Sequence, residues 1–281
     1  MTTRDVVVDG IPIHYAEAGD GPALLLLHGV SASHQVWERT IAAFANRWRV
    51  VAPDLPGHGA SGKPDAPYTP DFYAGVMRSL GRELGLDEAV VVGNSLGGRV
   101  AIELALSYPR WTRALVLAAP PGGHGRLMRG VGWTIGSVAG ARVLRAALPW
   151  TVDLCFWDPF AAACDESQRA LAERLEADDF PGFARAVARS IAGAMTEGLP
   201  PLGQLTQPTL LVWGRQDRLV SLADARRLRR DVEHARLVVL ERCGHLPMLE
   251  RPGEFNHRLA DFLREVAAAP LPAARRAASG G

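Results

Sequence analysis

Short unbroken runs of apolar residues recur along the chain, separated by amphipathic stretches. Leu24 to Leu27, Val50-Val51-Ala52, Val90-Val91-Val92, Leu115-Val116-Leu117, Leu210-Leu211-Val212 and Leu237 to Leu240 are such runs. A strand buried on both faces reads this way, because its side chains point alternately into two apolar layers. Between the runs, apolar residues spaced by three and four predict helices over Val36–Ala45, Phe72–Leu84, Leu96–Ser107, Leu222–Arg230 and Glu254–Ala267. Strand–helix alternation implies a mainly parallel sheet with helices on both faces. Near the start, Val6-Val7-Val8 and Ile11 to Tyr15 flank Asp9-Gly10. That pattern predicts a hairpin that adds antiparallel strands at one edge.

The alternation stops between about Pro120 and Gln207, where Ala, Arg, Leu and Trp dominate and helices are expected without strands. Pro120-Pro121-Gly122-Gly123 opens this stretch and Leu199-Pro200-Pro201 closes it, and such breakers mark boundaries. The expected organisation is a core of residues 1–119 and 208–267, a helical cap over 120–207 and a disordered tail over 268–281.

Composition narrows the classes of function. The chain has 281 residues, 48% of them apolar, which is enough for a sizeable core. Its 31 basic and 30 acidic side chains leave a net charge of +1, which points away from nucleic acid and from anionic membrane surfaces. The three cysteines, Cys155, Cys164 and Cys243, make no disulfide framework and fit a reducing cytosol. No apolar region precedes a small-residue cleavage site at the N-terminus, and Ala23 to Leu27 is too short to span a bilayer. A cytoplasmic protein without a stable membrane anchor, monomer or homodimer, is expected. No cluster has zinc-ligand spacing, and Pro121-Gly122-Gly123-His124-Gly125 lacks the spacing of a dinucleotide loop. Neither a cofactor nor a metal is implied.

One motif carries chemistry. Val90-Val91-Val92 leads into Gly93-Asn94-Ser95-Leu96-Gly97, and a helical pattern follows. Strand, G-x-S-x-G, helix describes a sharp turn that lifts a serine hydroxyl above the sheet, with small residues where a Cβ would clash. A serine hydroxyl is a weak nucleophile and needs a base. His245 follows the strand Leu237 to Leu240, in Cys243-Gly244-His245. Open α/β sheets collect catalytic groups at such strand ends. The base in turn needs an acid to fix its tautomer. Asp217 follows the strand Leu210 to Trp213 in Gly214-Arg215-Gln216-Asp217. Asp54, which also follows a strand, is a rival acid, and His28 is a rival base. The oxyanion requires two N–H donors: Leu96, directly after the serine, and Val30, in His28-Gly29-Val30 after an early strand.

With these residues assembled, the chain resembles the α/β-hydrolase superfamily over roughly residues 5 to 267. His28-Gly29 with Trp37, Pro53-Asp54-Leu55-Pro56-Gly57-His58-Gly59-Ala60-Ser61, Trp213-Gly214-Arg215-Gln216-Asp217 and Gly244-His245 match its motifs, in the chain order Ser95, Asp217, His245. The resemblance implies a mostly parallel eight-stranded sheet with an inserted cap, a catalytic triad, and mainly structural roles for Asp54 and His58. Related haloalkane dehalogenases and epoxide hydrolases carry Asp at the elbow, so Ser95 argues against their chemistries. Asn94-Ser95 resembles meta-cleavage-product hydrolases, which break C–C bonds. Those relatives usually place Trp after the base, where this chain has Leu246.

The leading expectation is hydrolysis of small to medium, largely apolar carboxylic esters through an acyl-enzyme on Ser95. The alternatives are C–C bond hydrolysis of a vinylogous diketone, and a ligand-binding receptor that turns over slowly. Trp133, Trp150, Phe156, Trp157, Phe160, Phe180 and Phe183 are candidates both for a pocket lining and for the cap core. Arg185 and Arg189, four apart on one helix face, suit either a substrate carboxylate or a solvated surface.

Overall fold

The computed structural model describes residues 1–122, 138–196 and 198–268. Trp133, Gly123-His124-Gly125 and all of the expected tail except Ala268 lie outside the described residues. The eight strands are β1 (Thr2–Val8), β2 (Ile11–Ala18), β3 (Ala23–Leu27), β4 (Arg49–Pro53), β5 (Ala89–Asn94), β6 (Thr112–Ala118), β7 (Thr209–Gly214) and β8 (Arg236–Leu240). They form one sheet in the order β1-β2-β4-β3-β5-β6-β7-β8. Only the β1–β2 and β2–β4 pairs are antiparallel, so the hairpin does occupy one edge. Its turn places Asp9 at φ 49° and Gly10 at φ 80°, the left-handed pair that matches the twist of a two-residue hairpin.

The apolar runs divide their side chains between two layers. Leu25, Leu27, Val91, Leu115, Leu117, Leu211 and Trp213 face one cluster. It is completed by Met77 and Leu80 of α2 (Pro70–Glu83), Val100 and Leu104 of α3 (Leu96–Ser107), and Leu228 of α7 (Leu222–Asp231). Leu24, Leu26, Val90, Val92, Val116, Leu210 and Val212 face the other. There they meet Ile41 and Phe44 of α1 (Glu38–Phe44), Met248 of α8 (Pro247–Glu250), and Phe255 and Leu259 of α9 (Pro252–Ala268). The first turn of the segment expected to be helical from Val36 is instead a 3-10 turn, His34–Trp37. It is capped by Ser33, whose hydroxyl accepts from Gln35 N–H, a local bond that favours a tight turn.

Between β6 and β7 the described chain forms α4 (Val138–Cys155), α5 (Ala162–Glu176) and α6 (Phe180–Thr196). Leu144, Leu148, Leu171, Leu175, Phe180, Phe183 and Val187 make their common core, and Val30 packs against it. Phe156 is buried in a separate small cluster with Cys164. Trp150 and Phe160 are 74% and 91% exposed, so these two line neither core. Arg189 donates to Asp65 Oδ1 at 2.5 Å and to Ala66 O at 2.7 Å, and Arg185 donates to Lys63 O at 3.3 Å. These two arginines tie the insertion to the segment after β4. All three cysteines are free thiols. No helix among the described residues is long and apolar enough to cross a membrane.

Candidate active site

Ser95 sits between β5 and α3 at φ 52° and ψ −116°, a conformation that costs a non-glycine residue on the order of 1–3 kcal/mol. The turn closes because its flanks carry no Cβ. One on Gly93 would lie 2.2 Å from Gly97 O, and one on Gly97 would lie 2.1 Å from Leu27 O. Ser95 N–H is anchored to Ala118 O at 2.9 Å.

The structure brings His245 and Asp217 together across the ends of β7 and β8. His245 Nδ1 lies 2.7 Å from Asp217 Oδ2, with both side chains buried. Asp217 Oδ1 accepts the N–H groups of Leu219 and Val220 at 2.8 and 2.9 Å, so its other oxygen is turned to the ring. A proton held at Nδ1 leaves Nε2 as the ring's acceptor. The histidine loop is fastened to the serine turn by Asn94, whose Nδ2 donates to His245 O at 3.0 Å and to Ala118 O at 3.2 Å.

The rival residues are committed elsewhere. His28 Nε2 accepts from Leu55 N–H at 2.9 Å, so the ring proton is on Nδ1, which donates to Gly29 O at 2.7 Å. Burial holds its pKa below the usual histidine range, and with both nitrogens bonded it has no basic site to offer. Asp54 Oδ1 accepts from the main chain and the ring of His34, at 2.7 and 2.8 Å, and Oδ2 accepts from Ala60 N–H at 2.8 Å. Burial pushes Asp54 upward, but the His34 bonds and the electrostatic pull of His28 and His34 together bring it below the usual range. It braces the loop after β4 and makes no bond to His245.

The candidate oxyanion donors flank the serine. A Cβ on Gly29 would be 3.2 Å from Ser95 Cβ, so the Gly29–Val30 segment runs against the turn. No peptide bond among the described residues is cis, and in a planar trans unit the N–H points opposite the C=O. Gly29 O is drawn to His28 Nδ1 and to Ala32 N–H, at 2.7 and 3.3 Å, which turns Val30 N–H the other way. Leu96 opens α3 ahead of the first bonds within that helix, Gly98 and Arg99 N–H to Ser95 O. Its N–H is therefore one of the helix's unsatisfied amides, at the positive end of the dipole.

Two positions to which the sequence assigned no part in the site geometry complete the picture. Asn94 was visible only as part of the motif, and its partner His245 lies 151 residues away. Glu250 gave no signal: its half-buried carboxylate binds the amides on either side of His245. Burial pushes its pKa up, against the pull of those amide bonds. Among the described residues, His14, His34 and Asp54 could hold a cation, with donor atoms within 4.8 Å of one another. Their bonding is already internal, since His14 Nδ1 meets Asp5 Oδ1 at 2.9 Å and His34 Nδ1 meets Asp54 Oδ1 at 2.8 Å.

A family model described as alpha/beta hydrolase fold matches residues 22–252. The chain is 28% identical over 280 residues to 2-hydroxymuconate semialdehyde hydrolase of Pseudomonas sp. strain CF600, covering 95% of this chain and 96% of that one. It is 31% identical over 277 residues to a 2-hydroxy-6-oxononadienedioate/2-hydroxy-6-oxononatrienedioate hydrolase of Burkholderia vietnamiensis, covering 92% and 94%. Among solved structures it resembles a bacterial membrane phospholipase A, with a TM-score of 0.76 and 29% identity over 95% of this chain and 87% of that one.

Proposed function

Given that this chain belongs to the α/β-hydrolase fold family, we propose that it is a serine hydrolase that cleaves carboxylic esters through an acyl-enzyme on Ser95. The observation that carries the reading is the elbow. A strained serine is joined through Asn94 to a histidine whose Nδ1 is held by a carboxylate. His245 Nε2 takes the Ser95 proton as the hydroxyl oxygen attacks the ester carbonyl. The negative oxygen is received by the N–H groups of Val30 and Leu96. The tetrahedral species collapses, the bond to the leaving alkoxide breaks, and His245 returns the proton to it. Water, deprotonated by the same ring, then releases the acid and restores Ser95. Helices α4 to α6 act as the cap that shapes the pocket for an apolar acyl or alcohol group.

The second reading is hydrolysis of a C–C bond in a vinylogous diketone. It is favoured by the Asn94-Ser95 pair and by relatives named as hydrolases of hydroxy-oxo-dienoates. In place of the Trp usual in such relatives, Leu246 packs against the Phe156 and Cys164 cluster of the insertion. Short p-nitrophenyl esters of increasing acyl length, assayed beside a meta-cleavage product, test both. Turnover of the diketone with none of the esters would replace the first reading by the second. Labelling of Ser95 in a single turnover without sustained hydrolysis of either would mark a slow receptor.

A further inference from the structure

Glu250 closes α8, and its carboxylate is shared between the histidine loop and the helical insertion. Oε1 accepts from Gly244 N–H at 2.8 Å and Leu246 N–H at 3.4 Å, the two amides that flank His245. Oε2 accepts from Trp157 N–H at 2.7 Å, just beyond the end of α4. His245 crosses the same junction with its own main chain, donating its N–H to Cys155 O, the last residue of α4, at 2.6 Å. The two backbones touch there. A Cβ on Gly244 would lie 2.5 Å from Cys155 O and 2.8 Å from Trp157 N.

The chemistry suits a carboxylate. Three N–H donors from two parts of the fold converge on one side chain, and only an ionised acid offers two acceptor oxygens with lone pairs for all of them. Bonds from amides to a charged acceptor are shorter and stronger than neutral ones. Each main-chain group of His245 is thereby fixed, by Asn94 on one side and by Cys155 on the other, with Glu250 gripping both neighbours. Asp217 holds the ring; these contacts hold the backbone that carries it.

We propose that Glu250 is a positioning residue that fixes the His245 loop to the end of α4, so that the seating of the insertion sets the aim of the imidazole at Ser95. This rests on the reading of Ser95, His245 and Asp217 as the triad. Glu250 does not touch substrate. It transmits the position of the insertion to the base through the peptide units on either side of it.

Glu250→Ala and Glu250→Gln test the assignment. Glutamine keeps one acceptor oxygen and presents an NH₂ donor in place of the other, so it serves one side of the junction and opposes the other. Three readouts are taken: kcat and KM on a short p-nitrophenyl ester, the rate of Ser95 phosphonylation by a fluorophosphonate, and the low-field proton resonance of the His245–Asp217 hydrogen bond. In Glu250→Ala, kcat and the phosphonylation rate should fall together by about 10- to 100-fold, with KM within about threefold. The resonance should shift or broaden, and Glu250→Gln should fall between. A folded variant with wild-type phosphonylation and an unaltered resonance overturns the proposal, as does a loss confined to KM. If wild type neither turns over esters nor labels, the triad reading fails, and the resonance alone decides the coupling. Altered in Glu250→Gln or Glu250→Ala it upholds the coupling, and unaltered it overturns it.

Discussion

Asn94 and His245 are joined by a side-chain to main-chain hydrogen bond of 3.0 Å, which runs from the residue before the strained serine to the carbonyl of the ring's own residue. The same amide group also donates to Ala118 O. Asn94→Ala strips the donor from His245 O, while Ala118 O keeps the Ser95 N–H, and leaving one buried polar group unpaired costs about 1–3 kcal/mol. The expected outcome is a lower urea midpoint with a loss of kcat larger than the change in KM. A variant with wild-type kcat would show that the bond is not needed to place the base.

Ser95 separates strain from chemistry. Ser95→Ala removes the proposed nucleophile but keeps a Cβ at φ 52°, whereas Ser95→Gly removes both. Hydrolysis should be abolished in each. Glycine tolerates that φ, so Ser95→Gly should be more stable than Ser95→Ala by on the order of 1 kcal/mol in chemical denaturation. Equal stabilities would mean that the turn stores no strain at this residue.

His28 holds the peptide whose N–H is the proposed Val30 donor. His28→Phe fills the site but leaves Gly29 O with Ala32 N–H alone and Leu55 N–H without its acceptor. Losing one oxyanion donor costs about 10²–10³-fold in rate, and misaiming it should cost a part of that. kcat should fall by about 10-fold or more, with a smaller change in KM. Wild-type kcat in a folded His28→Phe variant would show that this ring does not aim the Val30 amide.

His58 links stability to pH. It is buried, donates its Nδ1–H to Pro56 O, and burial, reinforced by the nearby His28, pulls its pKa from 6.5 to about 3. In the unfolded chain it takes up a proton below pH 6.5, while the folded protein resists until about pH 3. Protonation therefore favours unfolding, and stability is lost as pH falls through that window, by at most about 1.4 kcal/mol per pH unit for the single group. His58→Gln should flatten the fall in the urea midpoint over the same range. An unchanged slope would assign it to other groups.

What the sequence disclosed was local or repetitive. The two-layer strands announced themselves as apolar runs, and α3 begins and ends where its pattern did, because the glycine turn fixes its start. Ser95, His245 and Asp217 are legible as candidates because each follows a strand, and the sheet determines that strand ends meet. The missing information lay in long-range pairing. Nothing near Glu250 advertises that its carboxylate meets Trp157, 93 residues earlier. Periodicity did not separate buried Phe183 from exposed Phe160, since Phe183 lies on a face of α6 that the insertion covers while Phe160 falls in the turn between α4 and α5. Arg185 and Arg189 share a face as their spacing required, but their partners at Lys63 to Ala66 belong to another part of the chain.

Val30 has two allegiances. Its side chain packs against the hydrophobic core of α4, α5 and α6, while its amide is the proposed second donor to the oxyanion. Any repacking of those helices to admit a bulkier acyl chain pushes on the residue that also steadies the reacting centre. Substrate range and turnover are then not separate dials in this molecule. Variants selected for a new acyl group should carry a change in rate even toward the old one, and restoring that rate should call for compensating changes beside Gly29.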